Sequence, residues 1–109
     1  MTYADISALA ESIGLPFAYY QFEDGTGIAP PFLVFMISGY DDFYADDSNY
    51  QRIAEVTFEL YTDYKDFVLE DRVADALTAA GLTFTQDETF IDSERMHLTT
   101  FGFETLLTR

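Results

Sequence analysis

The chain has 109 residues, a formal net charge of −15, 49% hydrophobic and 17% aromatic residues, and no cysteine. That apolar content excludes intrinsic disorder, and the length sets one domain, residues 1–109. The missing cysteines exclude disulfides, zinc-thiolate sites and thiol nucleophiles, while so acidic a surface disfavours nucleic acid phosphates and anionic membranes.

Ile6, Leu9, Ala10 and Ile13 follow the spacing of an amphipathic helix, with Thr2 or Asp5 to cap it and Gly14 and Pro16 to end it. The aromatic stretch 17–22 predicts a short strand, and residues 23–27 a turn. After Pro30 and Pro31, the apolar run 32–37 predicts a central strand with both faces covered. From Arg52 to Thr62 the pattern alternates, with Ala54, Val56, Phe58 and Leu60 on one face and Glu55, Thr57, Glu59 and Tyr61 on the other. Asp63 or Asp66 caps a helix over 66–80, whose buried stripe is Leu69, Val73, Ala76, Leu77 and Ala80 and whose stop is Gly81. A hairpin closes the chain, with strands over 82–88 and 96–104 around an Asp92-Ser93 turn.

The order α-β-β-β-α-β-β predicts an α+β fold, a mostly antiparallel sheet with two helices packed on one face. Val34, Phe35, Phe58, Leu60, Val73, Leu77 and Phe84 are the expected core. The N-terminal residues lack a signal-peptide pattern, and the longest apolar run is far too short to cross a bilayer. A soluble intracellular protein is expected.

No lysine, arginine or histidine precedes Arg52, whereas eight carboxylates do, and half of those fall between Tyr40 and Tyr50. Four aromatics share that stretch, so it reads as a projecting acidic loop with aromatic anchors. Tyr40, Asp41, Asp42, Phe43, Tyr44, Asp46, Asp47 and Tyr50 form the candidate subunit interface, because tyrosine is enriched in interface cores.

The chemistry-bearing residues are sparse. His97 is the sole histidine, so a structural or surface role is expected. Asp41, Asp42, Asp46, Asp47 and Asn49 do not fit the spacing of a calcium loop. Gly25-Thr26-Gly27 lacks the lysine of a phosphate loop, and Ser38-Gly39 has no nucleophile-elbow partners. Carboxylate pairs arise by chance among twenty acids, and a sugar cleft would usually carry tryptophan, which is absent. No enzyme, metal or cofactor is expected.

Ala29-Pro30-Pro31-Phe32-Leu33-Val34-Phe35, then Asp41-Asp42-Phe43-Tyr44-Ala45-Asp46, then Glu59-Leu60-Tyr61-Thr62 and the capped helix form a recognisable series. With the closing segment Phe90 to His97, it covers about residues 28 to 104. The series resembles small proteins encoded in the tail-assembly modules of phages and prophages of Gram-positive bacteria. These are similar to the tail-terminator, or tail-completion, proteins of phages with long, non-contractile tails.

The resemblance implies a homo-oligomeric, six-membered ring that caps the tail tube and joins it to the head connector. Its partners would be further copies of itself, the tail-tube protein and the head-connector protein. It would be assembled in the host cytoplasm and end in the virion tail. An acidic bore suits such a ring, since it does not hold passing DNA. Two other readings compete: an acidic DNA mimic that inhibits a host DNA-binding protein, and a calcium-dependent binding module built on the Tyr40–Tyr50 loop.

Overall fold

A computed structural model describes residues 1–22, 27–41, 43–45 and 49–108, with the backbone alone at 43–45 and 49–51. Helix α1 (Tyr3–Ser12) starts where the Thr2 hydroxyl accepts the Asp5 N–H and the Asp5 carboxylate accepts the Thr2 N–H. This reciprocal capping box satisfies two amides that the first turn would leave unpaired. The same contacts with Thr2 hold the Asp5 carboxyl below its ordinary pKa. Beyond the helix, Gly14 takes φ 86°, a left-handed turn that suits glycine.

Strand β1 (Phe17–Tyr19) is parallel to β2 (Phe32–Tyr40), with Phe17 beside Leu33 and Tyr19 beside Phe35. The predicted strand 17–22 stops early because Tyr20 takes φ 70° and sends its N–H to the Phe35 carbonyl at 2.8 Å. Strand β2 instead runs three residues past its predicted end, to Tyr40.

A short antiparallel hairpin follows, β3 (Phe43–Ala45) and β4 (Asn49–Gln51), with Tyr44 opposite Tyr50. It pairs with none of the other described strands, so the expected loop is a β-hairpin arm. The remaining elements are β5 (Ile53–Thr62), α2 (Phe67–Ala79), β6 (Phe84–Ile91) and β7 (Met96–Leu106). Asp66 caps α2 by accepting the Leu69 N–H, and Gly81 ends it at φ 79°. Such an N-cap contributes about 1 kcal/mol.

The five-stranded sheet has the order β1-β2-β5-β7-β6. Every pairing but β1–β2 is antiparallel, and the fold is α+β with the expected α-β-β-β-α-β-β order around the inserted arm. Ile6 and Ala10 of α1, its C-cap Ile13, and Leu69, Val73 and Leu77 of α2 share one core cluster with Phe35, Val56, Phe58, Leu60, Phe101 and Phe103 of the sheet. Phe58 sits at its centre, edge-on to Phe35 and Phe103 at 6.0 and 5.5 Å. Each such side chain contributes about 1.5–3 kcal/mol through burial.

Six of the seven expected core residues are buried: Val34, Phe35, Phe58, Leu60, Val73 and Leu77. Phe84 is a correction. It is only half-buried, 6.0 Å from Phe101, because β6 is an edge strand with a neighbour on one side only. Val34 is buried but lies outside the core cluster, in register with Glu59 and so on the face turned away from the helices. Ala80, expected in the α2 stripe, is exposed, since α2 ends at Ala79 and Ala80 is its C-cap.

The molecule is elongated, 50 × 29 × 24 Å, with a radius of gyration of 15.1 Å. A compact chain of this length would have about 13 Å. The arm, which leaves the sheet instead of extending it, fits that excess. Among the described residues no helix is long and apolar enough to cross a membrane.

Candidate assembly surface

The arm springs from the end of the sheet where β2 finishes and β5 begins. Tyr40 pairs with Ala54, and the Asp41 N–H donates to the Ile53 carbonyl at 2.9 Å. The Arg52 guanidinium lies over the Tyr40 ring, 3.9 Å from its centroid. The Tyr40 hydroxyl also meets that of Tyr3 at 3.1 Å, and this bond raises the Tyr40 pKa.

Both chain ends tie into the same region. The Arg52 carbonyl accepts the Leu107 N–H at 2.7 Å, and the Met1 amino group donates to the Leu106 carbonyl at 2.9 Å. The root of the arm is therefore fixed by contacts from α1, β5, β7 and the N-terminus.

Of the predicted interface residues, Tyr40 and Asp41 are exposed at this root. Phe43, Tyr44 and Tyr50 lie on the two strands of the arm by backbone position. Asp42, Asp46 and Asp47 fall outside the described residues.

Next to the root, on the face of the sheet turned away from the helices, is an open groove of about 680 Å³ lined in part by Ser38, Glu55, Thr57, Thr85, Gly102 and Glu104. The register shifts between Ile37 and Gly39, so Ser38 is an extra residue in β2. Its hydroxyl donates to the Glu55 carbonyl at 3.1 Å and accepts from Thr57 at 3.2 Å. Gly39 leaves room for Glu55, since a Cβ there would stand 3.0 Å from a Glu55 carboxylate oxygen.

Asp41, Glu55 and Glu104 each bring a carboxylate oxygen within 4.8 Å of the other two. Hard oxygen donors suit calcium or magnesium, but three fall short of the roughly six to eight oxygens that calcium takes. Sequence reasoning missed this grouping because its members are far apart in the chain, just after β2, on β5 and on β7; only Asp41 belongs to the acidic stretch.

At the far end of the sheet a second feature appears, between α2 and β6. Glu70 is buried, and both of its carboxylate oxygens accept from the Lys65 ammonium at 2.8 and 2.9 Å. Lys65 also pairs with Glu88. These bonds raise the Lys65 pKa and hold the Glu88 carboxyl below its usual range. His97 is half-buried on β7, edge-on to Phe90 at 5.0 Å.

Nearby, on the open face, Phe32 stacks on Tyr61 at 4.8 Å and meets Phe22 edge-on at 5.3 Å. Burial, with the neighbouring Glu59 carboxylate, pushes the Tyr61 hydroxyl up to about 12.

No protein-family model matches the chain, and no curated protein matches it in sequence. Among solved structures, its fold is similar to that of a chain in the virion of a native gene transfer agent (GTA) particle, with a TM-score of 0.60 and 17% identity across 92% of this chain and 84% of that one.

Proposed function

We propose that this protein is a non-catalytic virion structural protein, a tail-terminator or tail-completion protein that assembles as a ring, caps the tail tube and meets the head connector. The fold likeness to a chain of a phage-like particle, over nearly the whole length of both chains, is the observation that carries this reading. The resemblance of residues 28–104 to tail-completion proteins narrows the role. The shape supports it as well. A ring of identical copies needs two different surfaces on each copy, and an arm that leaves the sheet supplies one of them. The open face, with Glu55, Glu59, Asp87 and Glu104 on neighbouring strands, suits a wall past which DNA slides.

Complementation of particles that lack this protein tests the reading. The wild-type chain should restore tails of uniform length joined to heads, whereas Phe43→Ser with Tyr44→Ser should fold normally and fail to restore them. Normal tails with the double variant would remove the arm from the interface; normal tails without the protein at all would remove the function.

One observation favours the DNA mimic as a second reading. Carboxylates are spread over the open face, the α2–β6 side and the Asp92–Arg95 turn, and are not confined to the arm. A monomer that co-purifies with a DNA-binding enzyme would select it.

A further inference from the structure

We propose that the groove between α2 and β6 is the docking site for an extended, arginine- or lysine-bearing segment of another protein. Two adjoining cavities of about 510 and 460 Å³ share Lys65, Phe67 and Glu88, and together they follow β6 from Gln86 to Phe90. That run is about 14 Å long, room for four or five extended residues. Strand β6 is the edge of the sheet, so among the described residues its outer main-chain groups face no strand and can pair with an added one.

The groove is apolar where a surface is normally polar. Phe67 is 68% exposed and Phe90 46%. Lys65 lies over the Phe67 ring and His97 meets Phe90 edge-on, yet both phenylalanines stay exposed, and exposed apolar surface marks interaction sites.

Charge selects the occupant. Glu70, Asp71 and Glu88 line the cavities, with Lys65 the one ammonium among their lining residues. Lys65 also displays the binding mode: its ammonium lies 4.8 Å from the Phe67 ring centroid while bonded to Glu70 and Glu88. Glu70 is thereby satisfied, but Asp71 is exposed and makes no ion pair among the described residues, and Glu88 is exposed with Lys65 as its partner. A partner's guanidinium placed along β6 would stack on Phe67 or Phe90 and meet Asp71 and Glu88. A second copy of this chain, at −15, is a poorer fit to an acidic groove.

The probe is a fluorescein-labelled heptapeptide of alternating arginine and leucine, followed by fluorescence anisotropy at physiological salt. Phe67→Ser with Phe90→Ser, and separately Asp71→Lys, should each weaken binding roughly tenfold or more. Both aromatics are well exposed, so an unchanged thermal midpoint should show that the fold survives. Glu55→Gln with Glu104→Gln, on the open face, removes equal charge elsewhere and should change binding by less than about twofold. Absence of binding, or equal losses from all three variants, would mean diffuse attraction to an acidic protein and would overturn the proposal. Loss of self-association in the groove variants with peptide binding intact would also overturn it, and would assign the groove to a second copy. None of these outcomes depends on the tail-terminator reading.

Discussion

Arg52 and Tyr40 join the arm to the sheet, the guanidinium lying 3.9 Å from the ring centroid where the chain leaves β2 and re-enters β5. The two residues bracket the whole acidic stretch in sequence, so this contact closes its base. Arg52→Ala removes a cation–π contact of about 0.5–1 kcal/mol, and a few degrees of melting temperature with it. Hydrogen exchange at the Asp41 amide, which bonds to Ile53, should quicken more than exchange in β7. Equal change across the sheet would mean that Arg52 supports the domain and not the arm.

Leu77 is fully buried in the stripe by which α2 packs on the sheet. Leu77→Ala should cost about 2–5 kcal/mol by urea unfolding, a large part of the stability of so small a domain. A loss below about 1 kcal/mol would contradict the packing described, since it would match a surface position.

This helix was legible because period, cap and stop agree: Leu69, Val73 and Leu77 mark the face, Asp66 the start and Gly81 the end. The alternation of β5 was equally plain, because a central strand with one helix-covered face must alternate. Elsewhere the local pattern carried no signal. Nothing in an aromatic such as Tyr20 announces φ 70°, a conformation usually left to glycine, so the sequence pattern predicts β1 too long. Phe84 looked like core because hydrophobicity does not say which strand becomes the edge. The arm was read as a loop because Asp46-Asp47-Ser48-Asn49 lacks the Asn-Gly or Asp-Gly pair that marks a tight hairpin. The Lys65–Glu70–Glu88 network and the Asp41, Glu55, Glu104 grouping join residues from separate elements, and only the tertiary fold brings them together.

Tyr61 gives the protein a specific alkaline weakness. Its folded pKa is raised from 10.0 to about 12, so folding favours the protonated phenol. The resulting stability is complete below pH 10 and is lost as pH rises through about 12. Tyr61 is less than half buried, so screening reduces this contribution to about 1 kcal/mol. Lys65, whose pKa is also raised, keeps its charge and its pairing further into alkali than an ordinary lysine would. Tyr61→Phe should therefore flatten, but not abolish, the fall of stability above pH 10. An unchanged alkaline limb would contradict the assignment.

Asp41, Glu55 and Glu104 repel one another at the root of the arm. Glu104→Gln should raise stability by about 0.5 kcal/mol at low salt, with the gain fading as salt is added. Excess chelator should leave the thermal midpoint of the wild-type chain where it was. A fall of many degrees on chelation, with Glu104→Gln destabilising, would show instead that the three carboxylates hold a cation needed for the fold.

The central claim, assembly of this acidic chain into a closed ring, is tested most directly by sedimentation velocity across protein concentration and salt. Like charges crowded around a ring are screened at roughly 0.5 M salt, where the Debye length is about 4 Å. The account predicts a discrete species of about 74 kDa, six copies of a 12.4 kDa chain, that gains population as salt and concentration rise. A 12.4 kDa monomer at every concentration and salt, with no larger species, would contradict it.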